Sequence, residues 1–177
     1  MSGEELLALA ADCGFDHFGL MDVSKLSFEP AVRDMCAAGR CGSYGKCWTC
    51  PPFCGTLEEA AERAGRYSRG ILLQTTGQLE DDFDVETMLA AEQAQKERFF
   101  RFVAAVRREH PDCLPMSTGR CTVCETCACP DAPCRAPELA IPSMEAYGLV
   151  VSRTCQDSGV AYYYGPGTLT YTACVLV

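Results

Sequence analysis

Three cysteines at intervals of three residues, Cys121, Cys124 and Cys127, constrain this chain more than any other feature. They lie in a stretch from Met116 to Pro137 that also holds Cys129, Cys134 and Arg135. Thiolates spaced in this way wrap around one compact object. Zinc sites usually use two-cysteine knuckles that are distant in sequence. A C-x2-C-x2-C run instead matches iron–sulfur ligation, where three thiolates hold one side of a cubane and a more distant one completes it. For the fourth position the reading prefers Cys134, seven residues past Cys127, because a loop of that length can turn back. Cys129 follows Cys127 too closely to reach the far side easily, and Pro130 fixes the chain beyond it. Cys129 and a thiolate from the earlier cysteine-rich stretch, residues 36–54, stay open as alternatives.

A second cysteine-rich stretch comes earlier. Cys36, Cys41, Cys47, Cys50 and Cys54 are spaced C-x4-C-x5-C-x2-C-x3-C among Gly39, Gly42, Gly45, Pro51 and Pro52. Such punctuation excludes a regular element and describes a loop folded around something other than an apolar core. The C-x3-C-x2-C order of radical chemistry is missing. Cys47 and Cys50 form a C-x2-C pair, but Pro51-Pro52 follows at once, so the helix start that a thioredoxin-like dithiol needs is absent. A second metal site is the better reading.

Composition sets the compartment and excludes partners. Fourteen cysteines among 177 residues are too many for packing alone. No basic leader precedes an apolar segment and no apolar run could span a bilayer, so a secreted disulfide scaffold is disfavoured and a cytoplasmic location is expected. The formal charge of −9 argues against a nucleic-acid surface. The length suits one domain over 1–177.

Apolar periodicity predicts helices over residues 4–13, 29–36, 57–67, 84–110 and 150–158, and a short one from Ser143. Strands are expected over 17–23, 71–76 and 113–117, with a closing hairpin of 160–164 and 168–177 around Gly165-Pro166-Gly167. Thr56 with Glu59 reads as a capping box. Cys13, Cys155 and Cys174 read as small apolar core residues, and His17 as a structural histidine. The fold class is α/β: a mixed sheet with flanking helices and two cysteine-rich metal-binding loops. Each loop is too rich in glycine and proline to order without a bound metal.

The pattern Cys36-x4-Cys41-Gly42-x-Tyr44-Gly45-Lys46-x-Trp48-x-Cys50-Pro51-Pro52 recurs with Cys121-x2-Cys124-x2-Cys127, Pro133-Cys134-Arg135-x-Pro137 and Pro142-Ser143-Met144-Glu145-Ala146. Together these resemble the uncharacterised family of predicted metal-binding proteins of anaerobic bacteria and archaea. The terminal Tyr164-Gly165-Pro166-Gly167-Thr168-x-Thr170-Tyr171 is similar to one subgroup of it. The resemblance covers nearly the whole chain. It implies cysteines at positions 36, 41, 50, 121, 124, 127 and 134, with position 54 a cysteine in the similar subgroup. Positions 47 and 129 usually hold other residues there. It implies metal binding and supplies no reaction or substrate.

The resulting expectation is a small protein carrying two [4Fe-4S] clusters, in electron transfer or redox sensing with a redox partner protein. One cluster takes Cys36, Cys41, Cys50 and Cys54, the other Cys121, Cys124, Cys127 and Cys134. Lys46, Trp48 and Arg135, beside these ligands, could donate hydrogen bonds to the cofactor or shield it; the alternative is ordinary surface packing. No Ser-His-Asp set, phosphate loop or dinucleotide fingerprint assigns a reaction. Two rivals remain. One is an iron–sulfur enzyme with an open iron, Arg120 and Arg135 anchoring a small anionic substrate. The other is a zinc-stabilised interaction module.

Overall fold

The computed structural model describes Met1–Val177. Helix α1 (Gly3–Asp12) starts in a capping box between Ser2 and Glu5 and leads into strand β1 (His17–Asp22). A single 3-10 turn, Val23–Lys25, connects to α2 (Pro30–Ala37), which has proline in its first turn. The first cysteine loop follows. Helix α3 (Leu57–Ala64) opens at the expected Thr56–Glu59 capping box, and β2 (Arg69–Gln78) comes next. The longest helix is α4 (Val85–Val106), capped by Asp84. Strand β3 (Leu114–Met116) leads into the second cysteine loop, and α5 (Val151–Asp157) and β4 (Thr168–Leu176) close the chain.

The four strands lie in the order β1-β2-β4-β3, and all three ladders are antiparallel. Side chains alternate between the two faces of a strand. Ile71, Leu73 and Val175 therefore point to one face, where they meet Leu6 of α1 and Phe99 and Phe102 of α4. Leu72, Cys174 and Leu176 point to the other, against Ala60 of α3, Met144 and Leu149. Helices cover both faces, which explains why Ile71–Leu73 of β2 and Ala173–Leu176 of β4 are apolar on both sides without alternation. The α/β class expected from the sequence is what the chain adopts, with a wholly antiparallel sheet in place of the expected mixed one. Cys13, Cys155 and Cys174 are buried in the two cores as expected.

The expected closing hairpin does not form. Residues 160–164 are not a strand, because β4 is already paired on one edge with β2 and on the other with β3. The segment instead covers Gln74, a fully buried amide in β2. Gln74 donates to Ala161 O at 3.0 Å and to Thr172 Oγ1 at 3.2 Å, and accepts from Tyr164 Oη at 2.7 Å. The Tyr164 ring stacks on His17 at 3.7 Å, which gives that histidine the structural role expected of it. The helix expected from Ser143 is a tight turn, with Ser143 Oγ accepting from Ala146 N at 3.1 Å.

Backbone hydrogen bonds carry this turn into place. Gly148 O accepts from Glu29 N at 2.8 Å, and Phe28 bridges Leu149. Gly148 has φ +86°, and a Cβ there would stand 2.4 Å from Leu57 Cδ2. Gly148→Ala should therefore lower unfolding stability by about 1–3 kcal/mol in chemical denaturation. Gly159→Ala, at φ +69° with nothing within 4 Å, should cost less. Equal losses would mean that close packing at Gly148 contributes nothing. The buried thiols make a second prediction. Burial raises the Cys155 thiol from 9.0 to about 11. The unfolded chain then releases this proton at lower pH than the folded one, so stability should fall between about pH 9 and 11. Cys155→Val should flatten the denaturation midpoint over that range relative to the wild type.

Candidate metal centre

The two cysteine loops meet each other, and three tethers hold them in place. Arg33 Nη1, on α2, donates to Gly55 O at 3.0 Å, which closes the first loop between α2 and α3. Ser117 N donates to Pro142 O at 2.8 Å and Ser117 O accepts from Met144 N at 3.0 Å, which closes the second loop at its base. Trp48 Nε1 of the first loop donates to Ala132 O of the second at 3.1 Å, and its ring meets Phe53 edge-on at 5.0 Å.

Site one is a cavity of about 510 Å³ between the first loop and the Ser143–Gly148 turn. Cys36, Cys41 and Cys50 line it, together with Arg40, Arg120 and Glu145. Cys54 is close by but does not line the cavity; its thiol donates to Ala146 O at 3.6 Å. Burial pushes the Cys36 thiol up, and the nearby Cys41 and Glu145 push it further. Burial and the adjacent Cys47 push Cys50 up to about 12. Burial likewise raises Cys54.

Site two is a narrow cleft of about 20 Å³ lined by Cys121, Cys124, Cys127 and Cys134 and by one thiol from the first loop, Cys47. Cys129 is buried but does not line it. Burial pushes the Cys121 thiol up. At Cys127 burial also acts upward, but backbone N–H groups of Cys129, Trp48 and Ala128 and the Cys47 thiol outweigh it and hold the group below its ordinary value. Cys127 is thus already prepared to carry negative charge. Arg135 Nη1 donates to Thr126 O at 2.8 Å, so its charge sits over the second loop and away from site one. The Trp48 ring lines site two while its N–H is bonded to Ala132, and Lys46 is exposed.

Cys47 is the residue that sequence reasoning undervalued. It is 3 % exposed, its Sγ lies 3.3 Å from Thr49 Oγ1, and it touches the environments of both Cys50 and Cys127. Its C-x2-C spacing to Cys50 pointed to chemistry but could not tell which loop it would face. Arg40 and Glu145 carried no local signal, because the turn that brings Glu145 to Cys36 is closed by contacts distant in sequence.

All-thiol donor sets suit an iron–sulfur cluster or zinc, and are the wrong chemistry for magnesium or calcium. Site one has room for a cluster, since one water accounts for only about 30 Å³. At site two a cluster would require the 121–134 loop to move outward. No three histidine, cysteine, aspartate or glutamate side chains meet around one point as a single ion needs. In both sites, then, the thiols surround a space, and metal binding would draw them together.

A family model described as predicted metal-binding protein (DUF2284) matches residues 19–177. The chain belongs to this family. The match runs from β1 to the last residue and includes both cysteine loops, in agreement with the resemblance carried by the motifs. No curated protein and no solved structure matches the chain. No helix is long and apolar enough to cross a membrane. For this predicted metal-binding family the two loops are the natural candidate sites.

The Trp48 tether can be tested directly. Trp48→Phe removes one hydrogen bond worth about 1 kcal/mol and keeps most of the ring. Limited proteolysis within residues 121–134 should accelerate about fivefold with the core's thermal midpoint nearly unchanged. An unchanged cleavage rate would show that the loop is held by its own contacts.

Proposed function

We propose that this chain carries two [4Fe-4S] clusters and transfers single electrons to and from a redox partner protein in the cytoplasm. The observation that carries this reading is the shared wall between the sites: Cys47 lines site two and abuts Cys50 of site one. When bound, such clusters supply one-electron oxidation and reduction. The chain's own contribution is to hold and insulate. Cys36, Cys41 and Cys50, with Cys54 close by, would hold one cluster, and Cys121, Cys124, Cys127 and Cys134 would hold the other. Backbone N–H groups at Cys127 stabilise negative charge on sulfur. The Trp48 ring limits water at the second site, and Lys46 offers a positive charge at the exposed rim of the first loop. Arg135 offsets charge on the second loop. Fourteen free cysteines fit a reducing compartment. The same parts would serve redox sensing, with the loops' order following the state of the metal.

A second reading has its own support. The cavity at site one places Arg40 and Arg120 beside three thiols. Two guanidinium groups over an iron with an open position would hold a small anionic substrate there, making the protein an iron–sulfur enzyme. Arg135, bonded to Thr126 O in the second loop, would then play no part in substrate binding.

Anaerobic purification tests the main reading. The protein should be brown, with a broad band at about 400 nm and about eight irons and eight labile sulfides per chain. Cys134→Ser should lose about half of that iron and Cys129→Ser almost none. Stoichiometric zinc without sulfide would replace the reading with a zinc-stabilised interaction module. Iron loss with Cys129→Ser and none with Cys134→Ser would reverse the ligand assignment.

A further inference from the structure

In site one, Cys36, Cys41 and Cys50 line the cavity, whereas Cys54 does not and has its thiol on the carbonyl of Ala146. Glu145 also lines the cavity, on the turn that the Ser117 and Gly148 backbone bonds hold in place. Its Oε2 is buried and has no hydrogen-bond partner. Three buried side-chain polar atoms in the whole chain lack one: Glu145 Oε2, Arg33 Nε and Gln95 Oε1. Glu145 and Arg33 are both charged neighbours of Cys36. Two of the three orphans therefore flank the same thiol.

A buried carboxylate oxygen without a partner is costly, and natural folds keep one only where something else satisfies it. No arginine does so here. Arg33, Arg40 and Arg120 are all in the neighbourhood, yet none forms an ion pair with Glu145; the ion pairs of the chain are elsewhere. A cation held in the cavity would satisfy the carboxylate, and three cysteines already line that space. Carboxylate oxygen is a harder donor than thiolate and a weaker match for a sulfur-bound iron, so this position would also exchange more readily than a thiolate one.

We infer that Glu145, rather than Cys54, supplies the fourth protein ligand of site one. The inference rests on the reading that site one holds an iron–sulfur cluster. Cys36, Cys41 and Cys50 each contribute a thiolate to one iron, and Glu145 contributes its carboxylate to the remaining one. Arg33 Nε, the orphaned donor beside Cys36, faces negative charge once the cluster is in place. Cys54 keeps its thiol on Ala146 O and acts as a packing residue of the loop.

The full chain, purified anaerobically as wild type, Glu145→Ala, Glu145→Cys and Cys54→Ser, tests this through iron and sulfide content and low-temperature electron paramagnetic resonance. Cys54→Ser should keep the wild-type iron content and both cluster signals. Glu145→Ala should lose about one iron per chain and show the signal of a three-iron cluster when oxidised, with the signal of site two unchanged as the control for folding. Glu145→Cys should restore the fourth iron. Loss of iron in Cys54→Ser, alone or together with Glu145→Ala, overturns the assignment. So does full iron retention in Glu145→Ala. If the wild type holds zinc and no sulfide, the iron–sulfur reading fails by itself. The ligand comparison still decides: zinc lost with Glu145→Ala and kept with Cys54→Ser supports Glu145, and the reverse overturns it.

Discussion

Two backbone hydrogen bonds at the base of the second cysteine loop determine most of the site's architecture. Ser117 N to Pro142 O and Met144 N to Ser117 O pinch a long irregular excursion back to the end of β3. The consequence is topological. The residues just after the pinch point, Gly119 and Arg120, and those just past its return, Ser143 and Glu145, come to line one cavity together. The first cysteine loop meets that cavity from the other side, because Gly148 O is bonded to Glu29 N at the start of α2. Sheet, turn and both loops are thus linked by main-chain contacts that do not depend on any cysteine.

This division of labour separates stability from chemistry. The two apolar cores on the faces of the sheet hold buried leucine, phenylalanine and methionine, and the cysteines among them are packing residues. The loop cysteines sit outside these cores, most of them half-buried, with Cys47 and Cys129 buried and Cys41 exposed, in segments held at a few points only. Loops of this kind order at their tips only if something binds there. The scaffold therefore positions two sets of thiols near one another while leaving the last movement to the metal.

Cys47 shows why proximity of the loops matters. Buried between Cys50 and Cys127, it makes the two sites neighbours through sulfur instead of through an apolar partition. The Trp48–Ala132 hydrogen bond, one residue on, fixes the same contact from outside. Charge added at one site would then be felt at the other, since two groups sharing a low-dielectric wall interact strongly. That coupling is a property of the pair of loops and of neither one alone.

Much was legible in the sequence because it is local. Apolar periodicity and capping residues located the five helices and β1 to β3 to within a few residues, except where α3 and α4 end earlier than their patterns run. Glycine and proline marked both cysteine loops as irregular, and cysteine spacing pointed to metal. What the sequence could not express is non-local. It could not show that both edges of β4 are occupied, so that residues 160–164 cap Gln74 instead of forming a hairpin. Nor could it show that Cys47 faces the second loop, that Cys54 turns to Ala146, or that an unpartnered glutamate stands beside Cys36. Backbone dihedrals, caps and donor spacing are set by neighbours along the chain. Which thiols share a space is decided only when segments some eighty residues apart are brought together by the sheet.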